Sequence, residues 1–578
     1  MHRVFRPALV ALLLALIPLF VAAPASAQWV PDGAVVCTAT GEQLAPVVVS
    51  DGSGGVIVFW QDQRAVPTRV RAQRLNAAGI AQWTAGGVVV SSLAGAQTAP
   101  VATVDAVGGA IVAWEQDGGG SGLDIWAQRL DGAGVRQWGA NGALVSGSNG
   151  NQWRPLIVSD GRPVVVTTPG AIIAYESTAL DAGDLYVTAL DAAGAFRWAT
   201  FAAVGPGRQG PAVMVNDGSG TTQTNPKGVL LAWRDERVDP NEGEIYAQRV
   251  NSLGAPQWGA GGTLVCDSDA LSGAPALVQV ASATGIVAFS RFTGLSRSDI
   301  EIRAERIGGA GSWGVNGVSV CDFGGRRGEA SLQRDGAFGA IVAWRDQRNF
   351  FKAQIYAQRV DQNGAPRWAE DGLQLGGDQA AEGALATAPA SAGAVLAWTD
   401  RRHGSYDVFA QRVDTTGTKL WNPWGMPATR AAGEQYSPVV IGDGAGGAIL
   451  VWTDYRNQVD ADLYAQRLFN GGIVDVEPNA PATSAVAQLG PAVPNPLRTG
   501  CALVLDLPVA ATIDAVVHGV DGRRVRALAV GEARPAGRSS LRWDGRDRDG
   551  RAVAPGIYFV RMTVGAASLV QRIAVLAP

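Results

Sequence analysis

Short runs of consecutive apolar residues, each bounded by glycine-rich polar turns, recur along most of the chain and set its organisation. The first, GGVIVFWQDQR, ends its apolar stretch at Trp60, and copies end at Trp114, Tyr175, Trp233, Phe289, Trp344, Trp398 and Trp452, spaced 54 to 61 residues apart. Each is followed by an alternating run, RVRAQRL around Gln73, repeated at Gln128, Gln248, Gln358, Gln411 and Gln466 and degenerate at Thr188 and Glu305. A third element is a tryptophan, a glycine-rich turn and an apolar stretch, beginning at Trp29, Trp83, Trp138, Trp198, Trp258, Trp313, Trp368 and Trp421. A fourth opens with proline at Pro46, Pro100, Pro155, Pro211, Pro275 and Pro438. Each unit therefore predicts four short strands: a (PVVVSD), b (GGVIVFW), c (RVRAQRL) and d (QWTAGGVVV). The Asp51–Gly55 turn between a and b reads as a hairpin.

Eight such units predict an all-β, eight-bladed β-propeller over residues 28–474. The ends of the array specify closure. The segment after residue 27 is a d strand with no a, b or c before it, and the eighth unit stops after its c strand. The leading strand is expected to complete the last blade and leave no exposed edge.

Of the 18 tryptophans, 14 fall at the end of b or the start of d, and Tyr175 and Phe289 replace tryptophan at the b register, so the array reads as inter-blade packing. Asp follows the b aromatic by two residues and Arg by four at Asp62/Arg64, Asp235/Arg237, Asp346/Arg348, Asp400/Arg402 and Asp454/Arg456. Unit five carries Arg291 and Glu305 where the pattern has Asp and Gln. This joint change leads us to expect contact between these registers, in a polar ladder tying b to c. No carboxylate pair is seen to stand apart from the repeat.

Composition narrows the function. With 47 Lys+Arg against 51 Asp+Glu there is no basic excess for a nucleic-acid partner. Beyond residue 27 only His403 and His518 remain, and Cys37, Cys266, Cys321 and Cys501 form no CxxC pair. No catalytic, cofactor-binding or metal-ligating residue is assigned, and no cofactor is expected. Cys37, Cys266 and Cys321 share one register with Ser91 and Ser146 and read as small strand residues. Arg3 and Arg6, an apolar run over residues 8–23 and Ala25-Ser26-Ala27 predict a cleaved signal peptide over 1–27, hence a secreted or cell-surface protein with no membrane span in the mature chain.

The repeat stops after Gly472, a Pro/Ala-rich linker covers 475–488, and alternating strands over 489–578 predict a small β-sandwich. There Pro494-Asn495-Pro496, LDLP at 505–508, VDGRRVRAL at 520–528 and WDGRDRDGRAVAPGIYFVR at 543–561 resemble the immunoglobulin-like domain of the flagellar hook-capping (FlgD) type, and are similar to C-terminal sorting domains of type IX secretion. The resemblance covers about the last 90 residues and implies export or surface display. Asp547, Asp549 and Gly550 have the look of a calcium loop, but Gly545 holds its first position and a β-turn fits better.

The resulting expectation is a monomeric, non-enzymatic binding or adhesion protein whose propeller recognises a protein or glycan through variable loops and non-repeated aromatics such as Trp126, Trp153, Phe350, Phe351, Tyr406 and Trp424. The alternative is an extracellular propeller glycosidase or polysaccharide lyase, which would need two carboxylates facing one another in a cleft.

Overall fold

The computed structural model describes residues 29–576 apart from several short segments, the longest being 162–168, 377–384 and 470–486. The expected signal peptide, most of the expected linker, Pro494-Asn495-Pro496, Phe350 and Phe351 lie outside the described residues. The described chain is all-β and propeller-like, built of antiparallel sheets, most of them four-stranded. No helix among the described residues is long and apolar enough to cross a membrane.

Each repeat makes one sheet in the order a-b-c-d, as in Gln43–Ser50, Val56–Asp62, Arg69–Leu75 and Val88–Val89 of the first. Strand b is inaccessible on both faces: Val56 to Trp60 are wholly buried. That is why it reads as an unbroken apolar run. Strand c is buried at alternate residues over most of its length, which gives the alternating RVRAQRL. The a–b hairpin is fixed by the Asp51 carboxylate, whose Oδ1 accepts the Ser53 and Gly55 amides, both at 2.8 Å.

Two boundaries differ from expectation. Strand a starts three residues before its proline, at a buried glutamine. In most units the d-strand tryptophan sits in the turn before strand d, which is only two to four residues long, as at Val88–Val89, Ala143–Ser146 and Thr263–Cys266. The turn placement lets the tryptophan reach the next unit. Trp29, Trp83, Trp138, Trp198, Trp313, Trp368 and Trp421 each donate Nε1–H to a carbonyl following strand c of the next sheet (Ala77, Gly132, Ala192, Ser252, Gln362, Thr415 and Phe469) at 2.9 to 3.2 Å. The indoles lie on turn glycines: a Cβ at Gly134, where φ is +80°, would stand 2.8 Å from Trp83.

The leading strand Ala34–Cys37 pairs with Asp462–Leu468 of the eighth unit, so that sheet runs Ala34–Cys37, Asp462–Leu468, Ala448–Asp454, Gln435–Gly442. Trp29, Ala34 and Val36 share a core with Trp60 of unit one and Val451 of unit eight.

Beyond the repeats, a three-stranded sheet (Gln488–Val493, Cys501–Leu507, Gly537–Trp543) and a four-stranded sheet (Arg524–Arg534, Ala511–Gly519, Gly556–Val564, Ala567–Val575) enclose a separate core that includes Leu503, Ile513, Val517, Trp543 and Val560.

Candidate functional site

The repeated charges form two networks, not one ladder. At one end of the sheets the buried Asp beside the b tryptophan accepts its indole N–H and the Arg two residues on. Asp62 takes Trp60 Nε1 at 2.8 Å and Arg64 Nε at 2.6 Å, and Asp454 takes Trp452 Nε1 at 2.8 Å and Arg456 Nε at 2.9 Å. The guanidinium does reach strand c, but through its aromatic face: Arg348 lies 3.9 Å from the Tyr356 ring centre and Arg456 3.5 Å from that of Tyr464. Burial pushes the Asp346 carboxyl up, but its bonds to Arg348 and Trp344 outweigh this and hold it below the usual range.

The Gln-Arg pair works elsewhere. Gln73 Oε1 accepts the Trp83 amide at 2.9 Å and its Nε2 donates to Thr84 O, tying c to the d turn. Arg74 reaches back to Asp51 at 3.0 Å. The expected contact in unit five is therefore corrected: Arg291 pairs with Glu301 at 3.2 Å, while Glu305 Oε1 accepts the Trp313 and Arg306 amides as glutamine does in its sister units. Glu305 keeps the accepting half of the glutamine's role and loses the donating half, and burial raises its pKa. These carboxylates are committed to the scaffold. Cys37 and Cys321 are likewise buried, each within 3.5 Å of a guanidinium (Arg64 and Arg348), and burial pushes the Cys321 thiol up to about 11.

Sequence reading missed the buried glutamines Gln43, Gln97, Gln152, Gln209 and Gln435 that open strand a. Gln97 Oε1 accepts the Val70 amide of the preceding unit at 3.1 Å, and Gln43 Nε2 donates to Ala39 O at 2.8 Å. The readable signal was glutamine three residues before the strand-a proline in four units. Between Gln and Pro the strand bulges, with left-handed backbone at Ala45 (φ 50°), Ala99 (48°), Arg154 (53°) and Ser437 (50°). Strand a has one unpaired edge in each sheet, and residues just past the bulges, among them Pro46, Val47, Leu156, Met214, Leu277 and Val439, line a cavity of about 660 Å³.

At the end of the sheets that carries these bulges, their rim, the repeat is broken chemically. The residue after the b aromatic is Gln61, Glu115, Glu176, Arg234, Ser290, Arg345, Thr399 or Thr453 in successive units. Glu115 and Glu176 are on adjacent units, and Arg154 joins them. Its backbone N–H donates to Glu115 Oε1 at 2.8 Å, and its Nη1 stands 3.5 Å from Glu176 Oε1. Glu176, 1% exposed, also accepts Trp153 Nε1 at 2.9 Å and Arg208 Nη2 at 2.7 Å. Thr98 Oγ1 donates to Glu115 Oε2 at 3.3 Å. Glycine at 210 is required by close approach, since a Cβ there would collide with the Glu176 carboxylate. Two glutamates on neighbouring units thus meet one arginine, at a register one residue from that of the structural Asp.

Among the described residues no group of three or more His, Cys, Asp or Glu could hold a metal ion. Asp547 Oδ1 accepts the Asp549 and Arg551 amides, both at 2.9 Å, the hydrogen bonding of a turn.

No protein-family model matches the chain, and no curated protein matches it. Solved structures similar to it include a protein of unknown function from Dyadobacter fermentans (8% identity, 77% of this chain and 99% of that one, TM-score 0.36). An α-L-arabinofuranosidase from Fusarium graminearum (9%, 76% and 98%, TM-score 0.34) and a Hadza microbial sialidase (11%, 60% and 74%, TM-score 0.33) are also similar. The expectation of a non-enzymatic protein is corrected by this outcome: enzymes stand among the structures the chain is similar to.

Proposed function

We propose that this is an exported glycan-hydrolysing protein that uses Glu115 and Glu176 at the rim of a closed eight-bladed propeller. The single observation that carries the reading is the Glu115–Arg154–Glu176 cluster, placed where the repeat itself requires no acid. Glycosidic hydrolysis needs one carboxyl to protonate the leaving oxygen and a second to act as nucleophile or base across the sugar ring. Glu115 is assigned as the acid: it is half-buried, and the Thr98 hydroxyl can accept from its protonated form or donate to its ionised form. Glu176, met by two guanidiniums and an indole N–H, is the partner carboxylate. The Arg154 side chain, half exposed, pairs with Glu176 at 3.5 Å.

Closure of the ring is supported by the pairing of Ala34–Cys37 with the eighth unit and by the bond from Trp29 to Ala77. We read the C-terminal pair of sheets as the immunoglobulin-like sorting or spacer domain that its motifs resemble, and residues 1–27 as the signal that exports the chain. Reducing-end release from a panel of neutral and acidic polysaccharides tests the reading. Glu115→Gln and Glu176→Gln are each expected to lower the rate about 100-fold or more. Hydrolysis unchanged in both variants, or absent in the native protein across the panel, refutes it.

A further inference from the structure

The same rim carries an aromatic group on units seven and eight. Tyr406 lies in the b–c connection of unit seven, Tyr436 in the strand-a bulge of unit eight, and Tyr455 in the b–c connection of unit eight. The rings of Tyr406 and Tyr436 are 5.0 Å apart and tilted by 46°, and those of Tyr436 and Tyr455 are 5.9 Å apart and edge-on. Arg401 sits 4.5 Å from the Tyr406 ring centre. The Tyr436 hydroxyl donates to Glu434, and that of Tyr455 to Glu42 of unit one at 3.5 Å.

The fold does not demand these rings. At the register of Tyr436 other units place Leu44, Thr98, Trp153 and Gly210, and at that of Tyr455 the other units place Gln63, Asp117, Thr178, Glu236, Phe292, Gln347 and Arg401, only one of them aromatic. All three tyrosines remain half-buried, unlike the fully buried tryptophans of the repeat. Trp153 beside Glu176 and Tyr436 beside Glu434 share one register, so the rim bears the same device, an aromatic bonded to a glutamate, on units three and eight.

We infer that Tyr406, Tyr436 and Tyr455, with Arg401, form a second sugar-binding subsite, so that the ligand is a glycan chain reaching from the tyrosines to the Glu115–Glu176 pair. The inference rests on the glycan reading above and names the substrate as polymeric. A pyranose or furanose ring offers a C–H face to an aromatic ring and hydroxyls to its polar margin. Here Arg401 supplies donors, and Glu434 and Glu42 supply acceptors.

Affinity electrophoresis of the full chain through gels cast with the same polysaccharide panel tests it. The native protein is expected to be retarded by at least one polysaccharide, and the Tyr406→Ala/Tyr436→Ala variant to bind about 10-fold more weakly. Tyr436→Phe keeps the ring and keeps binding, while Glu115→Gln/Glu176→Gln is still retarded but does not hydrolyse. Should the double tyrosine variant melt early, Tyr406→Ala alone, on a surface connection, decides. Equal retardation of native and tyrosine variants, or no retardation of the native protein in any gel, overturns the inference. If retardation depends on the tyrosines but hydrolysis survives loss of both glutamates, the subsite stands and the catalytic assignment falls. If the glutamates matter and the tyrosines do not, the reverse holds.

Discussion

Replacing Trp29 by alanine probes whether the two ends of the repeat array hold together as firmly as any internal junction. The indole is 5% exposed, lies against Gly79 of unit one, and donates to Ala77 O at 3.0 Å. Trp83, one unit on, is 9% exposed, lies against Gly134 and donates to Gly132 O at 3.1 Å. Truncating a buried tryptophan costs about 3–5 kcal/mol through lost burial and the cavity left behind. The two environments are alike, so Trp29→Ala and Trp83→Ala should cost the same within about 1 kcal/mol, read as a shift in the urea midpoint at unchanged slope. A strand that frayed at the terminus would already be detached in the native state, and its truncation would cost almost nothing. A loss under about 1 kcal/mol for Trp29→Ala beside the full loss for Trp83→Ala would therefore refute the closed ring.

Asp346→Ala strands the Arg327 guanidinium, which is 1% exposed and 3.2 Å from that carboxylate. A loss of about 3–5 kcal/mol is expected by chemical denaturation, partly recovered by adding Arg327→Met. Because the folded Asp346 pKa is depressed, its contribution is present above the ordinary carboxylate range and disappears as pH falls below it, so native and variant proteins should converge in acid. Asp462 has the opposite sign. Burial, then the nearby Asp460 and Asp454 carboxylates, push it up to about 6. The folded state thus binds the proton more tightly, and stability should fall by at most about 3 kcal/mol as pH rises from 4 to 6, a slope that Asp462→Asn removes in thermal scans. Gly134→Ala must place a methyl against Trp83 at positive φ and should cost about 2–4 kcal/mol. Gly139→Ala, also at positive φ but with nothing within 4 Å, should cost only about 1 kcal/mol.

The strands were legible because burial dictates their spelling. A b strand covered on both faces has no freedom to be polar, and a c strand covered at alternate residues must alternate. The offset of the leading strand likewise follows from the order of elements alone. What stayed hidden lies in side-chain direction. Asp62 turns back to the tryptophan two residues away and Arg64 to Asp62 itself, which spacing cannot distinguish from an ion pair reaching across to strand c. Glu115 and Glu176 carry no signal in the repeat pattern, because a shift of one residue along a strand turns a side chain to the opposite face while barely altering the sequence. The bulge that opens strand a left only a glutamine and a proline three residues apart as its trace.

That bulge separates what the molecule must keep from what it is free to vary. Ala45 and Ser437 occupy one kinked position on the first strand of their sheets and project into solvent, while the glutamine and proline that bracket each of them are buried. A lineage could therefore exchange the side chains displayed at these two points without disturbing the packing beneath, and retarget the molecule by editing a handful of codons. Directed libraries confined to residues 45 and 437, and to side chains without a β-branch because of the positive φ there, would sample new recognition while leaving the melting temperature nearly constant.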